Sequence, residues 1–145
     1  MAAKFDNLGI SFQYPENWQL DEGEVRAGQS AVTVYSPGGA FWSVALHTAS
    51  TTGPAQMAEA ALDTMRKEYE ELDAEPVRET VAGHDLVGYD LNFFCLDLTN
   101  TACIRTLRED GTTYTIFFQA EDREYDEIGP VFEAMTLTLL QSIGN

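Results

Sequence analysis

The sequence predicts an α+β fold in which helices pack on an antiparallel β-sheet. Three observations support this prediction. Short runs of alternating apolar and polar residues, rich in β-branched and aromatic side chains, recur between Gly, Pro and Asp-Gly turns. Two longer stretches instead place apolar residues at helical spacing. The elements follow in the order strands, helix, strands, helix, and hairpin-length connections join the strands, which indicates antiparallel pairing.

The first predicted strands lie around clear turn signals. Residues Ile10–Tyr14 alternate Ile, Phe and Tyr on one face, and Pro15 ends the run. The runs Ala31–Tyr35 and Phe41–Thr48 flank a Pro-Gly-Gly turn at 37–39. We therefore expect these two runs to pair as a hairpin.

A helix is predicted over Pro54–Leu72. Pro54 suits the first helical position, where its missing N–H group has no intrahelical partner to lose. Met57, Met65 and Tyr69 then fall on one apolar stripe. Core packing is the expected role of the two methionines, in preference to an adaptable binding groove.

Four more strands are predicted after this helix, in a meander that includes one long strand with two apolar faces. The long strand should be central in the sheet and covered on both sides. Turns are expected at Thr99-Asn100 and at Asp110-Gly111. The predicted strands are Val77–Val81, Leu86–Leu98, Ala102–Leu107 and Tyr114–Phe118.

The closing segment Asp122–Leu140 also has an apolar stripe at helical spacing. Pro130 lies inside it, and a proline in a helix interior removes a hydrogen bond and clashes with the preceding turn. The regular helix is therefore expected to begin close to Pro130, after an acidic lead-in.

The segment Gly9–Trp18 (GISFQYPENW) resembles the opening motif of the PsbP-like superfamily, which includes Mog and DcrB-type domains. Shorter similarities follow in the same order along the chain, at Val34–Pro37, Val81–His84, Gly111–Tyr114 and Pro130–Met135. The resemblance implies an α/β/α sandwich. It also implies a binding, assembly or chaperone-like subunit, in some bacterial relatives one that shields hydrophobic helices of secreted effectors.

Length and charge limit the functions that are open to the chain. With 145 residues, 44% of them hydrophobic, it fits one domain over 1–145 whose core needs no metal or disulfide. Its 8 Lys+Arg and 24 Asp+Glu give a net charge of −16, which excludes nucleic acid and anionic membrane as partners. A basic partner remains open, although a solvated surface explains the acids more simply.

A cytoplasmic location is expected. Met1–Asp6 lacks the apolar run of a signal peptide, and no uninterrupted apolar run approaches the length of a membrane helix. Secretion through a signal peptide and anchoring by a membrane helix are therefore not predicted.

The sequence offers little catalytic chemistry. It contains no Gly-rich phosphate loop, no nucleophile elbow and no H-E-x-x-H zinc motif, so no catalytic, cofactor or metal residue is predicted. One enzymatic alternative uses His84 with nearby carboxylates such as Asp85 or Asp90. The acidic run Glu121–Glu127 supplies oxygen ligands for calcium, but it lacks the spacing of a calcium loop.

The two cysteines raise a question of pairing. If the hairpin turn centres on Thr99, Cys95 and Cys103 lie opposite each other, and a cross-strand disulfide is then sterically conceivable. Cytosolic thiols are normally kept reduced, so two packed free thiols are the preferred expectation.

The function predicted from these observations is non-enzymatic binding of another protein. The residues expected to make the contact are Phe41, Trp42, Phe93 and Phe117, supported by the acidic clusters Glu68–Glu75 and Glu121–Glu127. The partner would offer a basic or hydrophobic segment. Three alternatives stay open: aromatics buried beneath the helices, a small enzyme, and a homodimer that covers this face with its own copy.

Overall fold

The computed structural model describes residues 2–48 and 51–144. Met1, the first residue of the segment in which no signal peptide is expected, lies outside these ranges. The described residues form nine strands and three helices. The strands are β1 (Ala2–Asn7), β2 (Ile10–Pro15), β3 (Gln19–Asp21), β4 (Ala31–Tyr35), β5 (Phe41–Thr48), β6 (Asp73–Val81), β7 (His84–Cys95), β8 (Leu98–Glu109) and β9 (Thr112–Glu121). The helices are α1 (Gly23–Arg26), α2 (Pro54–Glu68) and α3 (Asp122–Ser142).

Seven strands form one antiparallel sheet in the order β3-β4-β5-β9-β8-β7-β6. The hairpin β1-β2 is a separate two-stranded sheet. Helix α2 packs on one face of the large sheet, whereas α3 and the β1-β2 hairpin pack on the other. The predicted α+β class, an antiparallel sheet with helices on it, is confirmed.

The larger core lies between the sheet and α3. Trp42 of β5 is fully buried there, with Phe12 of the hairpin packed against its ring at 4.7 Å between centroids. The Trp42 indole N–H donates a hydrogen bond of 3.0 Å to Thr136 Oγ1 on α3. Phe132 of α3 completes the cluster against Phe118 of β9. This packing holds the hairpin, the sheet and the helix together.

The smaller core lies under α2. Ala58 and Leu62 of the helix pack against buried side chains of β7 and β8, chiefly Leu91, Phe93 and Ile104. Strand β8 is therefore covered on both faces at once, and residues 102–107 are all buried. The sequence assigned that central position to the preceding strand, whereas β8 is the one most fully enclosed.

The β7-β8 hairpin turns earlier than predicted. The turn lies at Leu96 and Asp97, and both residues have positive φ, 52° and 63°. Two-residue hairpin loops with this geometry usually contain Asn or Gly, which adopt positive φ at little cost. Leucine is not a typical turn residue, so the sequence gives no signal for a turn at Leu96-Asp97. The turn predicted at Thr99-Asn100 is therefore wrong.

Helix α3 is continuous through Pro130, so the expectation that it begins near this residue is wrong. Pro130 and Asp126 are both exposed, so water can bond the Asp126 carbonyl that the proline leaves without a donor. Gly129 has no Cβ to clash with the proline ring. At the start of the helix the Glu121 carboxylate accepts the backbone N–H groups of Arg123 and Glu124, at 3.1 and 3.4 Å.

Three short elements have no signal in the sequence. In β1 only Phe5 is buried, and the strand is held by pairing with β2 along its whole length. Elements β3 and α1 have three and four residues, too few for a hydrophobic period to emerge. Strands β6, β8 and β9 also extend beyond their predicted ends, because ladder pairing continues into polar residues.

Gly88 permits a close approach between β7 and β8. A methyl group at this buried position would overlap the backbone carbonyl oxygen of Ile104. We expect Gly88→Ala to lower the free energy of unfolding by about 3 kcal/mol, because neither backbone can move aside without breaking the ladder. Chemical denaturation followed by circular dichroism measures the change.

The matched control is Gly53→Ala at the start of α2. A Cβ at Gly53 would meet nothing within 4 Å. Its expected cost is no more than about 1 kcal/mol, the effect of a weaker helix cap. Equal stabilities of the two variants would contradict the close approach at Gly88.

Candidate functional site

The sheet face that carries α2 is only partly covered. The helix packs over β7 and β8 and reaches the rim of β9, while β4 and β5 lie beyond it. On this uncovered half, three rings form a row across the strands: Tyr35 of β4, Phe41 of β5 and Phe117 of β9. Ring centroids are 6.0 Å apart for Tyr35 and Phe41 and 5.7 Å apart for Phe41 and Phe117. We call Tyr35, Phe41 and Phe117 the aromatic row.

The aromatic row is accessible to a partner. Tyr35 is 41% exposed, and Phe41 and Phe117 are half-buried. The residues that share this face along 31–35, 41–47 and 113–119 include no Asp, Glu, Lys or Arg. In a chain with 32 charged residues, 24 acidic and 8 basic, an uncharged aromatic area is notable, because charged residues are depleted at the centres of protein interfaces.

The four aromatics named from the sequence do not share one surface. Phe41 and Phe117 lie in the aromatic row, whereas Trp42 is fully buried under α3 and Phe93 is buried under α2. The placement of Trp42 and Phe93 on an open face is therefore corrected. Alternation along the strands separates the two faces, but it does not show how far each helix reaches across them. Tyr35 was missed, although its alternation with Val34 places it on the face of Phe41.

A groove opens on the opposite face, between α3 and the β6-β7 edge of the sheet. Its volume is about 630 Å³. Strands supply its floor and one wall, and the middle turns of α3 supply the other wall. The main lining residues are Glu75, Glu79, Val81, Asp90, Asn92, Cys103, Arg105, Phe118, Tyr125, Glu133 and Leu137.

Arg105 lies at the floor of this groove, with its side chain 9% exposed. Its Nε donates to Glu79 Oε1 at 3.0 Å on β6, and its Nη2 donates to Asp90 Oδ1 at 2.7 Å on β7. Its Nη1 donates to the backbone carbonyls of Ile104 and Tyr89. Burial opposes the charge, but the hydrogen bonds to Asp90 and Glu79 outweigh it and raise the pKa of the guanidinium. Arg105 thus joins three strands around one fixed cation.

Arg105 was not predicted as a site residue, although the sequence contains a signal for a buried charge at this position. Between Cys103 and Leu107 the apolar alternation of the strand is interrupted by a single arginine on the same face. A cation at an inward position needs carboxylates within reach, because an unpaired buried charge is costly. The acids of the neighbouring strands were the candidates for that role.

His84 has a structural role. Its Nε2 lies 3.0 Å from the Leu140 carbonyl oxygen and 3.1 Å from that of Ile143, at the C-terminal end of α3. Asp90 pairs with Arg105 instead, and Asp85 accepts a hydrogen bond from Thr80 on the α2 side of the sheet. The structure therefore separates His84 from both aspartates of the enzymatic alternative. The carboxylate beside it is that of Glu109, whose Oε2 lies 3.6 Å from His84 Nδ1.

The two cysteines lie on opposite faces of the sheet, and both are free. Cys95 faces α2, where its Sγ is 3.9 Å from the Tyr69 hydroxyl. Cys103 faces the groove, where its Sγ is 3.6 Å from the Tyr125 hydroxyl. Because the hairpin turns at Leu96-Asp97, the opposed geometry expected for the cysteines is wrong. Burial raises the pKa of the Cys103 thiol to about 12.

The two acidic clusters differ in their surroundings. In Glu121–Glu127, Glu121 caps α3 and Glu124 accepts a hydrogen bond of 2.6 Å from Ser36 Oγ. In Glu68–Glu75, the chain passes from the end of α2 into the edge strand, and Glu75 lines the groove. Within 2–48 and 51–144, no group of three or more His, Cys, Asp or Glu is arranged to hold a metal ion. In the same ranges no helix is long and apolar enough to span a membrane.

Several solved structures share this fold, among them three that cover most of the chain. Cyanobacterial PsbP (CyanoP) from Synechocystis sp. PCC 6803 superposes with a TM-score of 0.63 at 13% identity, covering 94% of this chain and 90% of that one. The Pseudomonas aeruginosa protein PA94, of unknown function, gives 0.61 at 13% identity, with 95% of each chain covered. The Ran-binding protein Mog1p from Saccharomyces cerevisiae gives 0.60 at 12% identity, covering 99% of this chain and 92% of that one.

The chain therefore has a PsbP/Mog1-like fold, and the resemblance seen at Gly9–Trp18 is confirmed. At these identities the likeness concerns the fold alone. No protein-family model matches the sequence, and no curated protein matches it at a significant level.

The contrast between the two thiols is testable with a disulfide reagent such as Ellman's reagent. At about pH 8 we expect Cys95 to react much faster than Cys103, because the thiolate is the nucleophile and Cys103 holds its proton up to a pKa of about 12. Cys95→Ser should therefore remove the fast phase, and Cys103→Ser should leave it. In denaturant both thiols should react. Equal rates in the folded protein, or no reactive thiol after denaturation, would contradict this assignment.

Proposed function

We propose that this chain is a non-enzymatic domain that binds an apolar segment of another protein on the aromatic row. The observation that supports the proposal is an uncharged, half-exposed row of three rings on a sheet face that α2 leaves open. Aromatic side chains contribute disproportionately to protein interfaces, since they bury a large area and lose little conformational entropy.

Two further observations support protein binding over catalysis. His84 Nε2 lies within hydrogen-bond distance of two carbonyl groups at the end of α3, and its Nδ1 lies 3.6 Å from Glu109 of β8, so both ring nitrogens face neighbouring elements of the fold. Among the proteins of similar fold, Mog1p is a Ran-binding protein, so this architecture serves protein recognition in at least one case. Fold similarity does not carry a partner over from one protein to another.

The proposal extends to a chaperone-like role, in which the aromatic row shields a hydrophobic segment of the partner. An apolar surface of this kind would bind either an apolar helix or an apolar strand. The proposed place of action is the cytoplasm, where thiols such as Cys95 and Cys103 stay reduced.

A photo-crosslinking amino acid at Phe41 tests the contact in cells of the source organism. We expect a covalent adduct with one other protein, and no such adduct from the same amino acid at Glu59, which is exposed on α2. An adduct with the mass of two copies of this chain would instead identify the homodimer. Equal labelling from Phe41 and Glu59 would contradict the proposal.

Substitution of the rings gives the energetic test once the partner is known. Phe41→Ala with Phe117→Ala should weaken partner binding by about tenfold or more, the loss typical of aromatic hot spots. Phe94→Ala is the matched control, because Phe94 is 61% exposed at the β7-β8 hairpin tip, outside the aromatic row. Titration calorimetry measures both affinities, and circular dichroism checks that the variants are folded. Equal losses in the two variants would place the contact elsewhere.

A further inference from the structure

We propose that the groove between α3 and the β6-β7 edge binds a lysine- or arginine-bearing, partly apolar segment of a protein partner. The groove lies on the α3 side of the sheet, and the aromatic row lies on the α2 side. The two surfaces can therefore act independently, and this inference does not rest on the proposed function.

The charged side chains that line the groove are predominantly acidic. Four carboxylates, those of Glu75, Glu79, Asp90 and Glu133, face the groove together with one cation, Arg105. Within the described ranges, neither Glu75 nor Glu133 forms an ion pair. The excess is three negative charges, 4 − 1, between walls of low dielectric constant that concentrate the electrostatic field. A cationic group is the complementary ligand.

Arg105 holds two of these carboxylates in fixed positions. Glu79 and Asp90 each use one oxygen to accept from the guanidinium, at 3.0 and 2.7 Å. The two carboxylate side chains remain 44% and 42% exposed, so a ligand in the groove can reach them. The carboxylates are held in place before binding, which lowers the entropic cost of recognising an ammonium or guanidinium group.

Apolar surface in the groove favours a peptide segment over a bare ion. Val81, Phe118 and Leu137 add apolar surface beside the carboxylates, and Leu137 is 39% exposed on α3. A volume of about 630 Å³ has room for several side chains and falls in the range of organic ligand sites. The geometry thus matches a ligand with cationic and apolar groups spaced along one chain. The net charge of −16 would also steer a basic segment toward the protein.

The experiment uses a fluorescein-labelled peptide in which lysine and leucine alternate, titrated with the full chain by fluorescence anisotropy. We expect it to bind, and NMR shifts of backbone amides on its addition should include β6, β7 and the middle of α3. Glu75→Lys with Glu133→Lys should weaken binding by about tenfold, since two attractive charge pairs become repulsive. High salt should weaken binding to the wild-type chain as well.

The matched control is Glu59→Lys with Asp63→Lys on the exposed side of α2, which changes the net charge by the same amount. We expect less than about a twofold loss from this distant pair, because solvent screens it. Equal losses in the two double variants, no amide shifts in the groove, or no binding by the wild-type chain would each overturn the proposal. Equal binding of a peptide with serine in place of leucine, together with displacement by spermine, would also overturn it in favour of a small cation.

Discussion

The width of the sheet, compared with the width of a helix, governs how this molecule presents its surfaces. Seven strands lie side by side, and at roughly 4.8 Å per neighbour they span about 29 Å. A helix with its side chains is about 10–12 Å across, so one helix covers less than half of a face. Each face is therefore fully covered only if further segments of the same chain pack on it beside the helix. The open areas are those on which no further segment packs among the described residues.

The two faces meet this constraint differently. On the α3 side, the β1-β2 hairpin packs on β5 through the contact of Phe12 with Trp42, and the groove at the β6-β7 edge stays open. On the α2 side no hairpin is added among the described residues, and β4 and β5 stay open as the aromatic row. The two open areas consequently lie on opposite faces and toward opposite edges of one sheet, so two partners could be held at once without competing for space.

The sequence predicted the fold well where the period of two or of 3.6 was long and bounded by turns. Ala31–Tyr35 and Phe41–Thr48 are observed with the predicted bounds, because a Pro-Gly-Gly turn fixes the hairpin between them. The candidate sites were harder to predict, since they depend on how far each helix extends across the sheet. Trp42 and Phe41 are neighbours in sequence, yet one is core and the other lies on an open face. Likewise, the register that separates Cys95 from Cys103 depends on a leucine with positive φ, which a sequence pattern does not reveal.

The acidic character of the chain acts on these two surfaces in opposite ways. The residues that share the face of the aromatic row along 31–35, 41–47 and 113–119 include no Asp, Glu, Lys or Arg, so binding there should draw on apolar burial and depend little on ionic strength. In the groove, carboxylates fixed by Arg105 favour a cationic group, and that attraction weakens as salt screens it. A buried ion pair such as Arg105 with Glu79 and Asp90 often adds little net stability, because desolvating the charges offsets their attraction. The ion pair lies at the floor of an acidic groove, and its role there is positional. It holds two carboxylates at fixed positions for a ligand.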